Sequence, residues 1–451
     1  MPQIRKSATP PNPPIKSTEI RRVALSSYLG NTIEYYDFIL YGSAAALVFG
    51  PLFFSNLSPT LGTIASFAVF SAGYIARPLG GIIFGSLGDR IGRKSVLLYT
   101  MTIMGVASGL IGLLPTYEKI GVIAPILLVA LRVIQGFAVG GEWGGASLMA
   151  AEHAPPNQRG FYTAIGQAGL ASGGLLSTLA MALVSQLPDG QLFSWGWRVP
   201  FLASFALLAV GVFTRVTISE SPLFEELQEK SGGHIQRRGS FRAHRIELLR
   251  GMAASVPPAI SSTVFGSFAV SYAVSSGHSR SVVLTALCVA WGLSIVATPL
   301  YGKLSDKLGR RPVYITAALS FAIFVYPLFK AIGSESTVMM FAAFSIAFAL
   351  ITVAMTGMLS ALLSELFSTE YRYTGVSISY QGATVIGGLA PLGASIMLAS
   401  GSNVAAVAIL VAVFSLLGAA AVGTATESRG GSLRGQMTPS IEPSPTKSVQ
   451  P

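Results

Sequence analysis

The chain has 451 residues, of which 51% are apolar and only 11% charged, with a formal net charge of +11 and a mean hydropathy of +0.61. Those values exclude an ordinary soluble globule, in which about a quarter of the residues are charged. They point to a polytopic membrane protein.

Residues 1–24 contain Pro10, Pro11, Pro13, Pro14 and five basic residues, lack the apolar core of a cleavable signal, and read as a polar tail. A bilayer-spanning helix needs about 20 mostly apolar residues. Such runs follow at 25–50, 63–86, 95–114, 122–149, 160–186 and 199–217, then at 251–275, 282–302, 313–332, 337–361, 373–399 and 404–424. They do not alternate in polarity every second residue, as strands of an outer-membrane barrel would. The expected fold is therefore all-α, with twelve transmembrane helices in two six-helix halves, 25–217 and 251–424. A charged linker, 218–250, joins the halves, and residues 425–451, rich in Ser, Pro and Gly, form a disordered tail. The single cysteine, Cys288, falls inside the eighth run and cannot form an intrachain disulfide.

Loop charge sets the orientation. With the N-terminus cytoplasmic, most of the 30 Lys and Arg fall on the inner side, and the outer loops hold only Lys119, Arg198, Arg280 and Lys330. Both termini are then cytoplasmic, and membrane topology rather than nucleic-acid binding accounts for the net charge. The basic stretch "HIQRRGSFRAHR" is likewise an inside marker, with contact to anionic lipid as a second use.

The chain repeats itself. "GSLGDRIGRK", starting at Gly85, returns as "GKLSDKLGRR" 217 residues later at Gly302. Glu152 precedes Arg159 by seven residues, and 213 residues on Glu365 precedes Arg372 by seven. Two unrelated landmarks with nearly one period indicate two homologous halves, an arrangement transporters use to alternate access around a central site. Asp89, Arg93, Glu152 and Arg159 are expected to form one cytoplasmic ion network, and Asp306, Arg310, Glu365 and Arg372 its counterpart. Together they would latch the inner gate; the bland alternative is a set of solvated turn charges.

The doubled G-x-L-x-D-x-x-G-R-[KR] loop resembles the signature between spans two and three, and eight and nine, of the major facilitator superfamily. More narrowly, "GNTIEYYDFILYG", "ARPLGGIIFGSLGDRIGRK", "LRVIQGFAVGGEWGG", "ISESPLFEEL" and "YRYTGVSISYQ" resemble the metabolite:proton symporter family. Within it, "SAAALVFGPLFF" and "GGEWGGASLMAAEHAP" are most similar to the shikimate-type branch. The resemblance covers about residues 25–424. It implies the twelve-helix fold and proton-driven uptake, and leaves the substrate open.

Ionisable groups at depth supply the candidate chemistry. Glu34 and Asp37 lie on the first run, Arg77 on the second, and Arg132 and Glu142 on the fourth, with none well inside the second half. Charges within spans are costly and face a cavity or a partner. Glu34, Asp37 and Tyr41 share a helix face, whereas Arg132, Gly136, Gly140 and Gly144 form a row that lets another backbone approach. We expect Arg132 and Arg77 each to hold one carboxylate while the remaining acid titrates. Asp37 is the first candidate proton carrier, with Glu142 and Glu34 as the others, and an anionic substrate would compete for Arg132. The alternative is that all five charges are permanently ion-paired and only fix helix positions.

Uncharged hydrogen-bonding groups come from the second half: Ser271, Tyr272, Thr352, Thr356, Tyr380 and Gln381. The expected substrate contacts are thus Arg132, Arg77, Tyr41, Tyr272, Tyr380, Gln381 and Trp143, beside helix packing as the other role for each. Tyr35 and Tyr36 flank the acids as pocket walls or core aromatics, and Trp195 and Trp197 fit the outer interface. Pro257, Pro258 and Pro391 kink or hinge helices seven and eleven. His153, His234, His244 and His278 show no metal-ligand spacing, so no metal and no cofactor other than the coupling proton is expected.

No phosphate loop of the form G-x-x-x-x-G-K-[ST] is present, which excludes a nucleotide-driven pump. "GQAGLASGGLL" lacks the proline of the drug-antiporter element, and residues 425–451 lack the heptads of an osmosensing coiled coil. An enzyme would need a clustered nucleophile and base, which "SES" at Ser219 does not offer. The function expected is proton-coupled uptake of a small organic acid, shikimate-like or another mono- or dicarboxylate. The alternatives are symport of a zwitterion such as proline or betaine and, less favoured, export. The partners are that substrate and the lipid bilayer, with no nucleic acid, and twelve spans suffice for a monomer in the inner or plasma membrane.

Overall fold

The computed structural model describes residues 17–91, 93–140, 142–216, 244–367, 371–427 and 429. Every regular element among them is helical: α1 (Ser17–Leu47), α2 (Pro59–Ile91), α3 (Arg93–Leu113), α4 (Ile123–Val139), α5 (Trp143–His153), α6 (Arg159–Val184) and α7 (Arg198–Val216) in the first half. The second half contributes α8 (Arg245–Thr263), α9 (Arg280–Leu308), α10 (Arg310–Ile332), α11 (Thr337–Ser345), α12 (Val353–Leu366), α13 (Arg372–Ala399) and α14 (Val404–Gly423). Ten of the described helical segments are long and apolar enough to cross a membrane. The two other expected spans fall on α1, whose apolar run is diluted by Glu34 and Asp37, and on α4, an apolar helix of 17 residues.

Three details differ from the sequence reading. The run 122–149 is not one helix but α4 and α5, interrupted around Gly140–Glu142. Helix α1 starts at Ser17, inside the expected tail, because a helix that outlasts the apolar run still satisfies its own backbone hydrogen bonds. Single π-helical turns at Leu192–Gly196, Val264–Phe268 and Ile346–Thr352 widen three of the spans, the second of them just beyond Pro257 and Pro258. Such turns are frequent at functional sites.

Lipid tails are as apolar as leucine, so helix association rests on close packing and interhelical hydrogen bonds. Accordingly Ile82, Phe213, Val296, Ile323 and Ile409 stay exposed on the outside, while small residues line the seams. Helix α6 lies along α1 through Gly169 and Gly173, where a Cβ would sit 2.4 Å from the carbonyl oxygens of Tyr28 and Thr32. On its other side α6 runs the length of α9, so this helix joins the halves. Helix α13 packs against α2 and makes the second seam between them.

Candidate functional site

The crossing of α2 and α4 places the buried arginines. A Cβ on Gly136 would fall 1.8 Å from the Gly73 carbonyl oxygen, and one on Gly140 would fall 2.0 Å from that of Arg77. The glycine row does what its spacing predicts and brings the backbones into contact. Both guanidinium groups lie on the Phe38 ring of α1, with Cζ 3.9 Å (Arg77) and 4.2 Å (Arg132) from its centroid. Arg77 also stacks on Tyr74 at 4.2 Å, and Arg132 on Tyr41 at 4.2 Å and Phe70 at 5.2 Å. A desolvated cation over an aromatic face gains about 2 kcal/mol, so the rings replace much of the stabilisation a carboxylate would give.

The expected direct pairing of each arginine with a carboxylate is corrected here. Among the described residues no ion pair joins Arg77 or Arg132 to an acid. Arg132 instead bonds Gln135, which extends toward Asp37 as far as Ser108. Its Nη1 donates to Gln135 Oε1 at 2.6 Å and Gln135 Nε2 donates to Ser108 Oγ at 2.5 Å; the Ser108 hydroxyl, which donates to the Met104 carbonyl at 3.0 Å, lies beside the Asp37 carboxylate. Ser204 Oγ of α7 donates to Asp37 Oδ1 at 2.5 Å. The physical reason is helix geometry: Gln135, three residues after Arg132, shares its face and occupies the space between. Arg132 Nε and Nη2, and Arg77 Nε and Nη2, are buried without a hydrogen-bond partner among the described residues.

Glu34 is equally buried, and its charge and that of Arg77 both act on the tyrosine pair Tyr35 and Tyr380. These two hydroxyls bond each other across the halves at 2.7 Å. Glu142 is buried at the break between α4 and α5.

Between the halves lies a cavity of about 50 Å³. Tyr35, Tyr74, Arg77 and Gln167 line it from the first half, and Ser255, Thr263, Thr356, Tyr380 and Thr384 from the second. Metabolite pockets run to roughly 300 Å³ or more, so this volume describes a closed state. Of the expected substrate contacts, Arg77 and Tyr380 line the cavity; Arg132 and Tyr41 stand behind the Phe38 and Tyr74 rings. Gln381 is turned away and donates to the Gly140 carbonyl at 2.9 Å, which ties α13 to the α4 break. Tyr272 packs on Phe268, Phe329 and Gly333, away from the cavity. The side chain of Trp143 lies outside the described residues.

Both ends of the cavity are shut. On one side Ser71 Oγ donates to the Gly388 carbonyl at 2.8 Å, and the Tyr74 ring leaves no room for a side chain at Gly388. On the other, at the end where α1 begins and α14 finishes, the ion network closes the seam. The structure adds to the expected wiring: Arg310, Asp306 and Glu365 pair within the second half, and two further pairs run between the halves. Arg159 Nη1 of α6 bonds Glu365 Oε1 of α12 at 2.7 Å, and Arg372 Nη1 of α13 lies 4.0 Å from Glu152 Oε1 of α5. Arg310 bridges Asp306 at 2.7 Å and Glu365 at 3.4 Å. The Asp306 carboxylate accepts from the backbone N–H of Gly160 and Phe161, both at 2.9 Å, at the positive end of α6. Intermolecular-style pairing follows because each short acid-to-arginine segment meets its repeat at the seam. The side chains of Asp89 and Arg93 lie outside the described residues.

Gln135, Ser108, Ser204 and Gln167 escaped the sequence reading. Gln135 carried a usable signal, a polar residue one turn from a buried arginine in an apolar run; lone serines in spans carry none.

Comparison with known proteins decides the family. Residues 23–241 match the model for the Sugar (and other) transporter family, and residues 248–436 match that for the Major Facilitator Superfamily. The Escherichia coli shikimate transporter is 41% identical over 388 residues, covering 85% of this chain and 88% of the relative. The chain belongs to the major facilitator superfamily. The E. coli proline/betaine transporter is also related, at 30% identity over 90% of this chain and 83% of its own length. The fold matches the proton:xylose symporter XylE bound to 6-bromo-6-deoxy-D-glucose with a TM-score of 0.75, at 19% identity, over 93% of this chain and 98% of that one. Superfamily membership makes the protein a multi-pass transporter of the inner or plasma membrane and not an enzyme. Transporters of this kind bind small-molecule substrates.

Proposed function

We propose that this transporter couples the uptake of a small organic anion to proton entry by alternating access, with twelve transmembrane helices and both termini in the cytoplasm. The ten apolar segments, together with α1 and the α4–α5 pair, supply the twelve, and positive charge in alternate loops supports the orientation. The observation that carries the reading is Arg77, a cation in the wall of the central cavity with Nε and Nη2 unbonded among the described residues. A carboxylate would satisfy both nitrogens, because the guanidinium fork matches carboxylate geometry.

Asp37 is the proton carrier. It lies outside the cavity wall, beside Ser108, which takes a hydrogen bond from the Gln135 side chain held by Arg132, and Arg132 shares the Phe38 ring with Arg77. Neutralising Arg77 with an anion changes the field at Arg132 and so the balance at Asp37. The cross-half ion network is the inner gate, which opens when the halves part. Likeness to the shikimate transporter favours a hydroxylated monocarboxylate, and the cavity's serine, threonine and tyrosine hydroxyls suit one.

A second reading, a zwitterionic substrate, draws on Glu34, whose charge reaches the same tyrosine pair as Arg77 and could face an ammonium group. Proteoliposomes test both. Shikimate and proline uptake are measured with and without an inward proton gradient, for the wild type, Asp37→Asn and Arg77→Gln. Gradient-driven accumulation of the acid should be lost in Asp37→Asn while counterflow survives, and Arg77→Gln should lose both. Undiminished accumulation by Asp37→Asn rejects the carrier assignment; preference for proline selects the second reading.

A further inference from the structure

Along the outside of the second half runs another cavity, apolar and about 390 Å³ in volume. Leu304 and Leu308 of α9, Val313 and Phe324 of α10, and Ile346 and Leu350 of the adjoining π-turn form its walls. Leu308, Phe324 and Leu350 are 58%, 51% and 56% exposed, so it opens sideways, away from the seam between the halves. From Val313 to Phe324 helix α10 rises roughly 16 Å at 1.5 Å per residue. That is about the depth of one leaflet's hydrocarbon, half of a core some 30 Å thick. The groove therefore has the length and polarity of a single acyl chain running from the gate end to the mid-plane.

At its gate end stand two cations without partners. Lys303 and Lys307 are exposed, one turn apart on α9 and each next in sequence to a leucine of the groove. Neither side chain makes a hydrogen bond or ion pair with a described residue. Their neighbours are occupied: Arg310 by Asp306 and Glu365, and Arg311 by the carbonyls of Val422 and Gly423. A lysine ammonium on its four-carbon stem reaches the headgroup level while the stem stays along apolar surface.

We propose that groove and lysine pair form a binding site for an anionic phospholipid of the leaflet at the gate end. One acyl chain fills the groove and the phosphate lies on Lys303 and Lys307. Both lysines flank Asp306, so the lipid sits beside the gate carboxylate that caps α6.

The test is native mass spectrometry of the full-length protein titrated with phosphatidylglycerol or with phosphatidylcholine of identical chains. The wild type should bind phosphatidylglycerol in preference. Two surface cations contribute enough that Lys303→Gln/Lys307→Gln should weaken phosphatidylglycerol binding by roughly thirtyfold and leave phosphatidylcholine unchanged. Thr316→Trp, which projects an exposed side chain into the groove, should weaken both lipids. Equal phosphatidylglycerol affinity for the wild type and the double glutamine variant overturns the proposal. Unchanged binding of both lipids by a Thr316→Trp protein that melts like the wild type overturns it too, and the lysine comparison stands alone should that variant fail to fold.

Discussion

Removing the charge of Glu365 should open the inner gate. This carboxylate is 4% exposed and serves two buried guanidinium groups, Arg159 at 2.7 Å and Arg310 at 3.4 Å. Glu365→Gln keeps the shape but removes the charge that Arg159 bonds at 2.7 Å, while Arg310 retains Asp306. Removing one member of a buried pair costs about 3–5 kcal/mol, because the remaining charge stays desolvated. That cost falls on the closed state alone, since parting the halves wets both arginines. At 3 kcal/mol, with about 1.4 kcal/mol per factor of ten, the closed-to-open ratio falls on the order of a hundredfold. Spin labels at Asn157→Cys and Thr424→Cys, on exposed positions of the two halves at the gate end, report the separation by pulsed electron resonance in a Cys288→Ser background. The short-distance population should give way to a longer one. An unchanged distance distribution would refute the assignment of this network as a latch on the closed state.

Two further outcomes check other links. Gly136→Ala places a methyl group 1.8 Å from the Gly73 oxygen, which forces α2 and α4 apart at a cost of roughly 1–3 kcal/mol or more, whereas Gly393→Ala meets nothing within 4 Å. Thermal melting in detergent should drop by several degrees for the first and stay put for the second; equal melting would show that the crossing is not tight. Gln135→Leu removes the link between Arg132 and Ser108, a charge-assisted hydrogen bond worth about 1.5–3 kcal/mol. Gradient-driven uptake should fall roughly tenfold or more while substrate affinity by calorimetry holds, and a parallel loss of both would place Gln135 in binding instead of coupling.

The architecture was largely legible because hydrophobic runs of spanning length and loop charge are strong one-dimensional signals. The run 122–149 misled only at its glycines: Gly140 and Gly144 read as a packing row, yet the chain breaks near Gly140, where α13 supplies Gln381 to bond the carbonyl. The buried charges were all found, since a charge in an apolar run stands out. Their partners were not, because pairing depends on which faces of α1, α3, α4 and α7 meet. Arg132 and Asp37 attract at any register, but Gln135 and Ser108 between them are a three-dimensional fact. The gate shows the same limit. Glu152, Arg159, Glu365 and Arg372 were identifiable by repetition and Arg310 pairs within its half as expected, but only the seam reveals the added pairs across the halves.

That exchange has a consequence for ancestry. Glu365 meets Arg159 of the other repeat, and Glu152 meets Arg372, the reciprocal pattern of a two-fold interface in which one surface satisfies its own copy. A lone six-helix unit with this acid-and-arginine segment already holds everything needed to dock onto a twin. The present contacts, 2.7 Å on one side and 4.0 Å on the other, are how such a symmetric handshake looks once fusion into one polypeptide lets the two sides drift apart.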